Sequence, residues 1–311
     1  MTLAAAGQAR ALLSGVLAPY PDDRTLVAEA LVSAHLHGHP EFGLPLLDRE
    51  LTGPGSRCAV PALRGAGAVR TLDALGVPGP VAMAAAVRHA GRIAGELGVG
   101  LVAARSVTGT GRLAPYVAAQ ARAGRVALLL AHAPRTVAPH GGHTPVLGTN
   151  PMAYALPRAD GRVLVADFAT AAMTQAGLGR HRARGEELPA GVAVGADGGV
   201  VTDAAAVHAL LPAGGLLGTL TGLLVESVAG ALLDQRDGAT GRGIVALVVD
   251  PAFLDAAEGL ADRVEALCLE LGTAGGHVPG STEGTRSGDV IDVDDEVWSR
   301  LRDHAARYGG R

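Results

Sequence analysis

The stretch RVALLLAHA at 125–133 is apolar almost from end to end, too short to stand as a helix, and lacks the alternation of a strand with one wet face. It reads as a fully buried strand, which needs covering layers on both sides of a sheet. GIVALVVDP at 243–251 is a second strand of the same kind. PVAMAAAVRHAGRIAGELG at 80–98 supplies a covering helix that Gly98 ends.

Other segments fall into place around these. Residues 1–39 read as helical, with Asp22 or Asp23 capping a second helix and Pro40 ending it. Residues 52–80 are rich in Gly and Pro and predict loops with a short strand. VGLVAARS at 99–106 predicts a strand and LAPYVAAQARAG at 113–124 a helix. HTPVLGTNPMAYALPR at 143–158 and GRVLVADFAT at 161–170 predict short strands joined by turns. Residues 203–233 read as helical around a glycine hinge, FLDAAEGLADRVEALCLEL at 253–271 as a helix, and the end as an acidic loop and a terminal helix. Strands and helices mix without strict alternation, so the class is α/β or α+β, and 311 residues suggest two domains.

With one Trp, four Tyr, three Phe and 45 Gly, the core must be built from Ala, Val and Leu at close backbone approach. All 26 basic residues are Arg. A chain without Lys forms no internal Schiff base with pyridoxal phosphate and has no P-loop lysine. The net charge of -4 and the scarcity of aromatics leave no footprint for nucleic acid. Cys58 and Cys268 lack metal-type spacing and read as buried thiols, which suits a reducing, cytoplasmic compartment. No leader is expected at the N-terminus, where Gln8 and Arg10 break the apolar stretch. The stretch 209–233 resembles a membrane span, but Pro212 and Glu226 spoil it, and a buried helix is expected instead.

Several clusters could carry chemistry. Gly109-Thr-Gly111-Arg-Leu-Ala114 has the form of a dinucleotide fingerprint between a strand and a helix, yet no carboxylate occurs between Glu96 and Asp160 to hold ribose hydroxyls. A plain glycine turn is the alternative. His35, His37, His39 and Glu41 cluster at a helix end. His35 and His39 could share one face, but no third metal ligand is recognisable and no metal is expected. His140 and His143 flank a glycine turn and could act as acid and base. Asp167 closes an apolar strand where α/β proteins place ligands, and Glu226, an acid in an apolar helix, must be paired or protonated.

PHGGHTPVLGTNPMAYALP, VLVADFATAAM, GGLLGTLTGLLVESVAG and VPGSTEG, in this order, resemble successive blocks of the malate/L-lactate dehydrogenase-type NAD(P)-dependent oxidoreductases. The likeness spans nearly the whole chain, and its most specific block, 147–151, holds the only Asn of the chain, Asn150. It implies an α/β fold that is not the Rossmann fold, with a discontinuous helical domain for substrate and dimerisation (1–115 with 285–311) and a central mixed-sheet, cofactor-type domain (116–284). A homodimer with the nicotinamide in its cleft and a small-molecule substrate is implied as well, with neither nucleic acid nor membrane as partner.

Carried over residue by residue, the resemblance gives NAD(P)H to Asp167, Phe168, Ala169, Thr170, Leu216, Leu217, Pro279 and Gly280. It gives substrate to Phe42, Thr108, Tyr116, Thr149 and Asn150. The family's Ser-His-Gly, whose His donates a proton to a carbonyl or imine, stands here as Glu41-Phe42-Gly43. Its Asn-His-Phe-Gly stands as Thr108-Gly109-Thr110-Gly111, and its Gly-Gly-His-Lys-Gly-Tyr as Gly214-Gly215-Leu216-Leu217-Gly218-Thr219.

The candidate catalytic groups are therefore Glu41, His37, His39, His140 and Arg112. Hydride transfer to or from a small oxo-, hydroxy- or imino-acid is expected to be altered or lost. Three readings follow: redox chemistry with relocated groups, a repurposed non-redox cyclisation, elimination or tautomerisation, and a catalytically silent binding protein.

Overall fold

The computed structural model describes residues 1–53, 59–235, 241–254, 258–280 and 289–308, so Cys58 lies outside the described residues. The helices are α1 (Ala6–Val16), α2 (Arg24–Leu36), α3 (Leu44–Thr52), α4 (Gly79–Leu97), α5 (Ala114–Arg122), α6 (Gln175–Arg184), α7 (Leu216–Val225), α8 (Leu260–Thr273) and α9 (Asp295–Tyr308). The strands are β1 (Thr2–Ala5), β2 (Ala62–Ala66), β3 (Val69–Asp73), β4 (Val99–Val107), β5 (Val126–Ala131), β6 (Met152–Pro157), β7 (Val163–Phe168), β8 (Ala193–Val194), β9 (Ala209–Leu210), β10 (Arg242–Val249) and β11 (Val290–Val293).

Among the described residues a seven-stranded sheet runs in the order β2-β3-β4-β10-β5-β6-β7. It is mixed, because β2 pairs antiparallel with β3 while β3 pairs parallel with β4. The two apolar runs, β5 and β10, are adjacent and central, as expected of strands covered on both faces. The class is therefore mixed α/β, as the sequence predicts. Helix α4, whose Ala-rich face is fully buried, packs on β4.

The chain divides into two compact units. Met1–Leu129, Ala153–Ala166 and Ala246–Arg311 form the first, and Leu130–Met152 with Asp167–Val245 the second. The first unit has a core of small apolar side chains with a few large ones, Leu13, Leu31, Met83 and Tyr116 among them. The second is centred on Val137, Leu147, Leu178, Leu188 and Leu210.

Several sequence expectations give way to tertiary contacts. Residues 2–5, expected to be helical, form β1 because they pair antiparallel with β11 at 290–293. Asp23 occupies the N-cap of α2 but makes no capping bond, because its carboxylate instead accepts two hydrogen bonds from Arg88, at 2.8 and 3.0 Å. Residues 203–215 form no α-helix. Ala204–Ala206 make one 3-10 turn, β9 pairs with β8, and Gly214 and Gly215 take φ of 62° and 65°, which postpones helix α7 to Leu216. Nor does α8 begin at Phe253, because Pro251–Phe253 form a 3-10 turn and the helix starts at Leu260.

The apolar segment 216–233 is long and apolar enough to cross a membrane by length and composition. The expected burial holds for one face only. One face, with Gly218, Gly222, Val225, Ala229 and Gly230, is buried, while Leu216, Leu217, Leu220, Leu223 and Leu224 are exposed. Glycines allow the buried face to approach Thr170, so the leucines are left on the opposite side.

Candidate active site

In the second unit a polar network is built around Asn150, which is fully buried and adopts φ of 36°. Its Oδ1 accepts from the Ala133 N–H at 3.0 Å. Its Nδ2 donates to the Gly222 carbonyl at 3.0 Å and to Glu226 Oε2 at 2.9 Å. Glu226 Oε2 also accepts from the Gly148 N–H at 3.3 Å, and Glu226 Oε1 lies 3.3 Å from Nε2 of the buried His132. A short π-helix at Glu226–Gly230 follows α7, so Glu226 stands where the helical register changes.

Burial pushes the Glu226 carboxyl up, but the bonds from His132, Asn150 and Gly148 outweigh it and hold the group below the usual carboxylate range. The expectation that Glu226 is paired is met, with a His, an Asn and a backbone amide as the partners. His132, at the end of the strand β5, carried no sequence signal beyond its place after an apolar run.

This network fixes the block 147–151. Next to it, Thr170 is buried and donates through Oγ1 to the Thr149 carbonyl at 3.2 Å, so Thr149, Asn150 and Thr170 are brought together. Asp167 and Phe168 are exposed at the end of β7, and Ala169 is half-buried. His140 is exposed, with its backbone N–H bonded to Thr219 Oγ1 at 2.8 Å. Leu216 and Leu217 are 57% and 71% exposed, which leaves them open to solvent rather than filling a site.

In the first unit the histidines separate. Helix α2 ends at Leu36 and Gly38 takes φ of 76°, so His39 leaves the helix and does not share a face with His35. His35 Nε2 accepts from the Leu44 N–H at 3.1 Å, and its ring also bonds the Asp292 backbone, so both interactions are structural. His37 Nδ1 lies 2.7 Å from the Ser33 carbonyl and closes the helix end. The turn Pro40–Phe42 then brings Glu41 Oε1 to 3.8 Å from His39 Nδ1, with Phe42 beside the His39 ring at a centroid distance of 6.1 Å. Arg112 Nη1 reaches Ser33 Oγ at 3.5 Å.

The loop Thr108–Gly111 is held by Glu50, which accepts from the Gly109 N–H at 2.9 Å and from the Thr108 hydroxyl. A carboxylate thus occupies the amide that a fingerprint would offer to phosphate, and the 109–114 motif is a structural turn. Glu50 was not legible as its partner, since 58 residues separate them. Tyr116 is fully buried within α5, and burial pushes its hydroxyl up from the ordinary value. Gly280 packs on β7, where an added Cβ would stand 2.7 Å from Val165 Cγ1, and Pro279 precedes it, half-buried.

Burial also sets a pH dependence. It lowers the His35 pKa from 6.5, and His89 and His304 shift the same way. Below pH 6.5 the unfolded state therefore binds protons that the folded state refuses. The urea midpoint is expected to fall as pH drops from 6.5 toward the lower folded-state values, and His35→Gln should flatten that slope. A midpoint that rises over this window would contradict the assignment.

A family profile described as malate/L-lactate dehydrogenase matches residues 8–302 of the chain. Over 246 residues, 73% of this chain and 72% of its relative, the chain is 32% identical to a Delta(1)-pyrroline-2-carboxylate reductase of Ancylobacter novellus. It is 30% identical to a (2R)-3-sulfolactate dehydrogenase (NADP(+)) of Chromohalobacter salexigens over 303 residues, 90% of each chain. Its fold is similar to the crystal structure of delta1-piperideine-2-carboxylate reductase from Pseudomonas syringae pvar. tomato. The TM-score there is 0.81, the identity 27%, and the coverage 98% of this chain and 100% of that one.

Proposed function

The chain belongs to the malate/L-lactate dehydrogenase family of NAD(P)-dependent oxidoreductases, and on that premise we propose that it reduces a small 2-oxo acid or cyclic 2-imino acid with Glu41 as the relocated proton donor. The carrying observation is the turn Pro40–Phe42, which holds a Glu41 side chain only 19% exposed beside His39. The resemblance places the family's proton donor in this neighbourhood. Its carboxyl is partly shielded from solvent beside His39, and a positioned carboxyl is a group that can serve as a general acid.

The residues present fit a nicotinamide dinucleotide in part. Asp167 and the exposed Phe168 offer a carboxylate and a ring face at the end of β7, while Gly280 keeps the backbone close to Val165. By the resemblance, Asp167, Phe168, Ala169 and Thr170 in the second unit, and Pro279 and Gly280 in the first, are the residues that would hold the cofactor. When bound, it supplies the hydride. Glu41 then delivers a proton to the carbonyl oxygen or imine nitrogen, and His39 recharges Glu41 from solvent. The Asn150–Glu226 network keeps the 147–151 backbone in one conformation. The reading extends to a cytoplasmic homodimer.

Leu216 and Leu217 favour a second reading. Both are exposed and neither offers a cation to a phosphate, which would suit a non-redox reaction that dispenses with the dinucleotide. Titration of nicotinamide fluorescence with NADH and NADPH separates the two. The redox reading expects micromolar binding and consumption of the reduced cofactor when 2-oxo acids or cyclic imines are added. No binding at millimolar cofactor would sink it, and product formed without cofactor would establish the alternative.

A further inference from the structure

His132 follows the buried strand β5 and is only 1% exposed, and neither reading of the reaction uses it. Its backbone N–H donates to the Gly243 carbonyl at 2.9 Å, which anchors it to β10. The ring lies over Gly230, where an added Cβ would stand 3.1 Å from Cδ2 and 3.4 Å from Nε2. From there Nε2 reaches Glu226 Oε1 at 3.3 Å. The imidazole therefore spans the π-helical turn Glu226–Gly230 from its last residue to its first. Single π turns within a helix are rare and are frequent at functional sites.

Glu226 gives its two oxygens to different tasks. Oε1 faces His132, while Oε2 accepts from Asn150 Nδ2 and from the Gly148 N–H. Asn150 passes the constraint on, since its Oδ1 is held by the N–H of Ala133, the residue next to His132. The Thr149 carbonyl in turn accepts from the Thr170 N–H at 3.0 Å and from Thr170 Oγ1 at 3.2 Å. One chain of polar contacts thus runs from His132 through Glu226 and Asn150 to the 147–151 backbone and Thr170, all within the second unit.

We propose that His132 is a positioning residue, whose Nε2–H fixes Glu226 across the π turn so that Glu226 holds the 147–151 backbone and Thr170 in place for the reaction. The role of Thr170 rests on the nicotinamide-dependent reading above, whereas the positioning itself needs neither substrate nor cofactor. Burial works against a charged Glu226, and the groups that offset it are His132 from the end of β5 together with Asn150 and the Gly148 amide from the loop before β6. Of these three only His132 can carry a charge. Without its ring nitrogen the carboxylate keeps donors on Oε2 alone, and a buried charge that has lost a partner is strongly unfavourable.

The test is a double-substitution cycle on the full chain, read as urea midpoints. His132→Phe keeps a ring over Gly230 but removes the donor. Glu226→Gln is expected to lower the midpoint in the native chain, where it removes a paired charge, and to raise it in the His132→Phe chain, where it removes an unpaired one. That gain should be present near pH 7 and shrink toward about pH 4, because without His132 burial dominates, the Glu226 carboxyl rises and takes up a proton as the pH falls. His35, His89 and His304 titrate alike in the two chains compared and cancel. In turnover of a 2-oxo acid or cyclic imine with reduced cofactor, His132→Phe should lose about 10²-fold, the cost of misplacing groups at a distance from the chemistry. His132→Gln, whose amide N–H can replace the Nε2–H, should recover most of it.

A Glu226→Gln effect of the same sign in both backgrounds, a gain that does not shrink on acidification, or equal turnover losses for His132→Phe and His132→Gln would overturn the proposal. If His132→Phe alone fails to fold near pH 7, recovery of the fold by added Glu226→Gln upholds it, and failure of both chains overturns it. The expected cycle in a protein that binds neither NADH nor NADPH would uphold the positioning and overturn the redox reading. A working reductase whose turnover His132→Phe leaves unchanged would do the reverse.

Discussion

Asn150→Asp is expected to lower the unfolding free energy by about 3–5 kcal/mol, read as a fall in the urea midpoint at unchanged slope. The substitution keeps the shape and changes only the polarity of one terminal atom. In the native chain Nδ2 donates to the Gly222 carbonyl and to Glu226 Oε2, both acceptors. An oxygen in that place faces two acceptors with no proton to share, in a side chain that is fully buried. Each buried partner left unsatisfied costs about 1–3 kcal/mol, and a second carboxylate beside Glu226 adds repulsion. Asn150→Ala also breaks the bond to Ala133 and removes the short polar side chain that makes φ 36° tolerable, so it should cost a comparable amount. A change under about 1 kcal/mol for both variants would mean that the network does not hold the 147–151 block.

Glu41→Gln is expected to reduce turnover by about 10²- to 10⁴-fold, the range that general acid help contributes, while the urea midpoint and dinucleotide affinity stay put. Gln preserves the side-chain shape in the turn Pro40–Phe42 but has no proton to give. His39, 3.8 Å from Glu41, is the alternative donor, and His39→Gln should cost much less if Glu41 carries the step. Turnover within about twofold of the native chain would exclude Glu41 as the donor.

Most of the scaffold was legible from residue order. The buried runs at 125–133 and 243–251 do form the central strands, and the helix ending at Gly98 does cover β4. Failures cluster where a segment takes its structure from a distant partner. Residues 2–5 are a strand because residues 290–293 lie alongside, and Asp23 gives up its cap to Arg88, 65 residues away. Neither cause is present within a local window of sequence.

The same division runs through the candidate site. Family blocks were readable as motifs, and Glu226 could be singled out because an acid within an apolar helix needs a partner. That its partners are His132, Asn150 and Gly148 was decided only when α7 and its π-helical end packed against the loop after β5. His35, His37 and His39 looked alike in sequence. A helix end after Leu36 and bonds to Leu44 and Ser33 turn two of them into backbone supports and leave His39 with Glu41.

By itself the sequence determined the fold class, the family and the absence of Lys chemistry, because periodicity, motif order and composition are properties of the chain alone. Only the tertiary structure decided which polar groups are spent on one another and which stay open, as with Glu226, held by Asn150 and the Gly148 amide, while His140 stays exposed. The physical reason is that hydrogen bonding and ion pairing are settled by distances between residues far apart in sequence, and those distances exist only once the chain has packed.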